Sequence, residues 1–180
     1  MVSLQTLTHW TAAGSFLLYV FTPVLWGRPL MPEFRSRVAR LLWTASFLLL
    51  LLHVGLAFQV FHHWSHRAAY EDTARQTAEL TGLQWGGGIY ANYALLLVWL
   101  ADVIWWWRGI AIYDSRPKWA AWCIQGFLAF MWFNATVVFG HGWVRYLGIA
   151  GFLIMGWAWL GLRPKAKNKT ASTEPSGSGF

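Results

Sequence analysis

The sequence predicts an all-α, polytopic integral membrane protein with five transmembrane helices, its N-terminus outside and its C-terminus in the cytoplasm. Three observations carry that prediction. Apolar residues make up 57% of the 180 and charged residues only 12%, against roughly a quarter charged in soluble globular domains. Tryptophan occurs 15 times, and its amphipathic ring suits the level where hydrocarbon gives way to headgroups. Finally, the apolar residues fall into five runs close to the roughly 20 residues a helix needs to cross a bilayer.

Those runs are 9–26, 41–61, 89–107, 119–139 and 143–162, within a transmembrane domain spanning 1–163. The first is the least apolar, with Thr11, Ser15, Tyr19 and Thr22 recurring at helical spacing. That stripe is expected to face protein, because lipid offers hydroxyl groups no partner. No Lys or Arg precedes the run and no small-residue cleavage pattern follows it, so it is unlike a cleavable signal peptide.

Orientation follows from the connections. Arg28, Arg35, Arg37 and Arg40 lie in or beside the first, and Arg108, Arg116 and Lys118 in the third. Arg163, Lys165, Lys167 and Lys169 follow the last run, leaving only Arg67, Arg75 and Arg145 for the opposite side. The positive-inside rule places the rich side in the cytoplasm, and an odd number of spans agrees. The expected location is a bacterial-type inner or plasma membrane.

Punctuation is consistent with these bounds. Trp26-Gly27-Arg28-Pro29 and Leu160-Gly161-Leu162-Arg163-Pro164 read as helix exits. The external connection 62–88 has good helix formers in its middle, expected to extend the second helix or lie on the surface, with Gly82 as a stop. Gly86-Gly87-Gly88 lacks the Lys-Ser/Thr of a phosphate loop and reads as a flexible turn. Residues 164–180 form a basic cytoplasmic tail without an apolar face, expected to be disordered.

The candidate chemistry is carried by histidine. In this topology His9, His62, His63, His66 and His141 all collect at the outer face, from three segments. On a continuous helix His62 and His66 stand one turn apart, close to Gln59 and Tyr70. An i,i+4 imidazole pair suits a transition metal or haem, and Glu71, Asp72 and Glu79 are at hand to complete a site. The plainer reading is that these rings simply occupy the headgroup region. His53 differs, lying about 13 Å below the outer end at 1.5 Å per residue. At that depth an ionisable ring is a functional candidate: a cofactor-binding residue, a quinone donor or a proton carrier. The structural alternative is a neutral ring bonded to Tyr19 or to a threonine of a neighbouring helix.

Asp102 is the only carboxylate within a span. With Asn92, Trp99 and Trp106 it defines a face of the third helix expected to point inward, where Arg40 is its expected ion-pair partner. A proton relay is the second reading. Asn134 is expected to share a face with His141.

Absences narrow the field. No lysine lies within a run, which excludes a retinal Schiff base, and neither a Ser-His-Asp set nor a G-x-S-x-G elbow appears. Cys123 is the only cysteine, so no internal disulfide or thiolate cluster can form. The net charge of +7 sits in short clusters between runs, with no basic helix face, and nucleic acid is not expected as a partner. The expected partners are the lipid bilayer and other membrane-protein subunits. Three functions fit: a small redox-type subunit binding a metal or haem through the outer histidines, a non-catalytic accessory or assembly subunit, and a proton or ion path through His53 and Asp102.

Overall fold

The computed structural model describes residues 3–26 and 32–161, all in helices and short connections. In order these are α1 (Leu4–Trp26), α2 (Pro32–Phe61), α3 (His66–Thr81), α4 (Gly88–Trp107), α5 (Ile110–Asp114), α6 (Lys118–Phe133) and α7 (Trp143–Gly161). A single π turn, Asn134–Val138, continues α6. The tail 164–180 and the two Gly-cation-Pro exits fall wholly or partly outside the described residues.

Three stretches are long and apolar enough to cross a membrane: Ser36–Phe61, Gly88–Trp107 and Lys118–Val138. The apolar part of α7, Trp143–Ala158, is shorter. α1 has the length, at 23 residues, but carries the hydroxyl stripe. Thr8, Thr11, Ser15, Tyr19 and Thr22 are all buried, as expected of a face that meets protein. Its pairing with α2 is cemented by a reciprocal exchange: Ser15 Oγ donates to the Ser46 carbonyl and Ser46 Oγ to the Ser15 carbonyl, each at 2.7 Å. Small side chains let the two backbones come that close.

At the middle of the bundle the packing is aromatic. Tyr19 of α1, Trp43 and Phe47 of α2, and Trp99 of α4 are buried together, with Trp132 of α6 alongside. Trp43 and Trp99 lie 5.0 Å apart between ring centres, and Tyr19 meets both Trp99 and Trp132 edge-on or tilted at about 6 Å. Five of the residues that tie four helices together are therefore rings, with Trp99 on the inward face expected of it. The indole N–H groups of Trp99 and Trp132 meet no acceptor among the described residues. Such burial costs on the order of 1–3 kcal/mol per group, which the ring packing has to offset.

Within the π turn Thr136 is buried and its Oγ1 donates back to the Trp132 carbonyl at 2.7 Å. A Cβ on Gly148 would run into the Thr136 side chain, and one on Gly140 into its carbonyl. Gly140 thus lets the chain turn tightly after the π turn, and Gly148 lets α7 pack closely against it.

Of the two forms expected for the connection 62–88, extension of α2 is not seen: α3 is a separate helix, capped at its start by Ser65, whose hydroxyl accepts from the Ala68 N–H. Gly82 ends it at φ 77°, the stop that the sequence suggested. The triple glycine is packed rather than loose: Gly86 and Gly87 are buried, and a Cβ on Gly86 would strike the Tyr70 carbonyl and ring.

Candidate functional site

Asp102 is fully buried on α4, and its carboxylate is surrounded by donors from three other parts of the chain. Arg116 Nη1 donates to Oδ1 at 2.6 Å, Trp43 Nε1 to Oδ2 at 3.0 Å, and the Tyr113 hydroxyl to Oδ2 at 3.1 Å. The cluster is built by the turn after α4. Gly109 adopts φ 137°, a conformation that side chains resist, and α5 then folds back along the end of α4. Tyr113 stacks on Trp106 with centroids 4.5 Å apart and planes 3° from parallel. The Arg116 guanidinium lies over the Tyr113 ring at 3.7 Å. Burial, and then the Asp102 carboxylate, push the Tyr113 phenol above its ordinary range.

The expected Arg40–Asp102 pair is not formed. Arg40 sits over the Trp107 ring at 4.3 Å, and Trp107 Nε1 donates to Thr44 Oγ1. The reason is steric: Trp43, on α2 close to Arg40, reaches the carboxylate first, while α5 delivers Arg116 to the remaining oxygen. Trp99 and Trp106 do face inward with Asp102, but Asn92 is exposed. Donors from α2, from α5 and from the turn after it tie the carboxylate into the packing, so the geometry describes a structural knot joining these parts to α4.

His53 is half-buried, and its Nδ1 lies 2.9 Å from the Thr8 carbonyl. A carbonyl only accepts, so Nδ1 carries the proton. The partner is a threonine of the neighbouring helix, as the structural alternative supposed, but through its backbone. The same carbonyl accepts Thr11 Oγ1 at 2.9 Å.

The outer histidines are arranged differently from the expected chelating pair. α2 ends at Phe61, and His63 and Trp64 adopt φ 46° and 60°, which reverses the chain before α3 starts at His66. His62 therefore lies just past the end of α2 while His66 starts α3, with a left-handed turn between them, and the i,i+4 relationship is lost. His66 instead bonds through Nδ1 to the Tyr93 hydroxyl at 2.9 Å and joins an aromatic group with Tyr90 and Tyr93. His62 packs edge-on against Phe58. His63 is exposed in the turn, His9 exposed on α1, and His141 exposed at the tip before α7. Asn134 does not turn toward His141: its side chain bonds to the Phe130 carbonyl. Among the described residues no three His, Cys, Asp or Glu side chains converge on a point where a metal ion could sit.

Sequence reasoning missed Arg116, Tyr113 and Tyr93. Gly109 was the available signal for the first two, since a glycine just past a helix end lets the chain fold back. Nothing comparable announces Tyr93. Comparison with protein-family models, curated proteins and solved structures yields no match to this chain.

Proposed function

We propose that the chain is a five-span integral membrane protein, N-terminus outside and C-terminus in the cytoplasm, that acts as a non-catalytic accessory or assembly subunit of a larger membrane complex. One observation carries this reading. The polar groups best placed for chemistry are engaged by the chain itself: Asp102 by Arg116, Trp43 and Tyr113, His53 by the Thr8 carbonyl, and His66 by Tyr93. Many large apolar and aromatic side chains also point outward, including Trp10, Trp107, Trp119, Trp122, Trp143 and Trp157, a surface suited to lipid and to the helices of other subunits. The asymmetry of Lys and Arg between the connections supports the orientation.

The test pairs two measurements. Untagged protein purified from a metal- and haem-replete host is analysed for metal and visible absorption, and mildly solubilised native membranes are run on a blue-native gel. Colourless, metal-free protein migrating in an assembly with other subunits is the expected result. Stoichiometric metal or haem would return the function to the histidines, and migration only as the isolated chain would overturn the subunit reading.

A further inference from the structure

α2 carries an open trough of about 530 Å³ on its outward side, lined by Leu48, Leu51, Leu52, Gly55, Leu56 and Gln59, with Trp64 at its mouth. Gly55 forms its floor: a Cβ placed there meets nothing within 4 Å. From Leu48 to Gln59 the trough runs about 16 Å at 1.5 Å per residue, close to half of the roughly 30 Å hydrocarbon thickness. That is the depth of one leaflet.

The mouth is made at a backbone cost. His63 and Trp64 are consecutive non-glycine residues with positive φ, a conformation disfavoured because Cβ crowds the following carbonyl. The turn is closed by Trp64 N–H donating to the Phe58 carbonyl at 3.0 Å and Ser65 N–H to the His62 carbonyl at 2.8 Å. Its effect is to lay the Trp64 indole back toward α2, where Nε1 donates to Gln59 Oε1 and the ring meets Phe58 at 6.2 Å. Yet Trp64 remains 66% exposed. Backbone strain that positions an indole and leaves most of it uncovered is accounted for when something else covers it. The nearest cation along the chain, Arg67, is already bonded to Glu71 at 2.8 Å, so the mouth offers no spare positive charge to select an anionic headgroup.

We propose that this trough holds one acyl chain of a zwitterionic phospholipid, with its glycerol and headgroup beside Gln59 and Trp64. The inference rests on α2 crossing the membrane. Leu48, Leu51, Leu52 and Leu56 line the chain, Gly55 makes room for it, and the exposed Gln59 amide, whose oxygen accepts from Trp64, presents N–H groups that can meet an ester carbonyl.

Native mass spectrometry of the full chain tests this, with phosphatidylethanolamine as the probe and detergent raised until bulk lipid is stripped. The wild type should retain one phosphatidylethanolamine. Gly55→Phe should cut that retention at least tenfold with no fall in unfolding temperature, since the new ring projects into the empty trough. Trp64→Gly should also reduce retention while leaving the unfolding temperature unchanged or higher, because glycine accepts the positive φ. A wild type that needs detergent yet retains no phospholipid overturns the proposal. Full retention in Gly55→Phe, a retained quinone or isoprenoid in place of phospholipid, or a dimer that Gly55→Phe dissociates would overturn it as well. A chain that stays in solution without detergent would instead overturn the membrane reading beneath it.

Discussion

Arg116 and Asp102 stand 14 residues apart in the chain and 2.6 Å apart in space, in an ion pair whose carboxylate is wholly buried. Removing one partner of such a pair strands the other charge, a loss of about 3–5 kcal/mol. Asp102→Asn and Arg116→Met should each destabilise the protein on that scale. The double variant should recover part of the loss, because neither charge is then stranded. Arg40→Met should cost only about 0.5–1 kcal/mol, the worth of its contact with Trp107. Unfolding of each variant in detergent checks the ordering, and a severe Arg40→Met beside a neutral Arg116→Met would contradict it.

The crossing of α7 over the π turn gives a second prediction. Gly148→Ala should destabilise by about 1–3 kcal/mol, the usual cost of forcing a methyl into a packed contact. Thr136→Ala should relieve part of it in combination, because the threonine hydroxyl is the first atom met. Gly55→Ala is the matched control, with open space around its Cβ, and should be neutral or stabilising. Equal losses at Gly148 and Gly55 would show that helix propensity, not the crossing, sets the effect.

Alkaline pH should weaken the Tyr113 contact. Its folded pKa is raised, so the phenol's contribution is complete below the ordinary tyrosine value of about 10. Above that value the unfolded chain gives up its proton while the folded one holds it, and stability falls as pH rises. Unfolding measured from pH 8 upward should be flat until about 10 and then decline. In Tyr113→Phe the decline should be shallower, whatever the change in starting stability. An unchanged slope would remove Tyr113 from the cause.

Much of this architecture was legible beforehand, and the exceptions have physical reasons. The hydroxyl stripe of α1, the stop at Gly82 and the inward face of α4 at Trp99, Asp102 and Trp106 follow from periodicity and glycine chemistry, which are local properties of the sequence. The partner of Asp102 does not. Depth alone leaves Arg40 and Arg116 as equal candidates, and the choice is made by a fold-back at Gly109 and by an indole reaching the carboxylate first. The i,i+4 relationship expected of His62 and His66 failed for a related reason. Local preference gives no warning that two residues as bulky as His63 and Trp64 will take left-handed φ and split a would-be continuous helix. The long-range aromatic core escaped as well, since a tryptophan facing lipid and one facing Tyr19 look alike in sequence.

The account stands on the chain crossing the membrane five times with its N-terminus outside, and topology reporters test that most directly. A reporter active only outside the cytoplasm is inserted near Thr77 in α3 or fused after Lys169 in the basic tail. Activity at Thr77 and silence after Lys169 is the predicted result. The reverse pattern would put the outer aromatic and histidine cluster in the cytoplasm, and equal activity at both positions would require an even number of spans between outside termini.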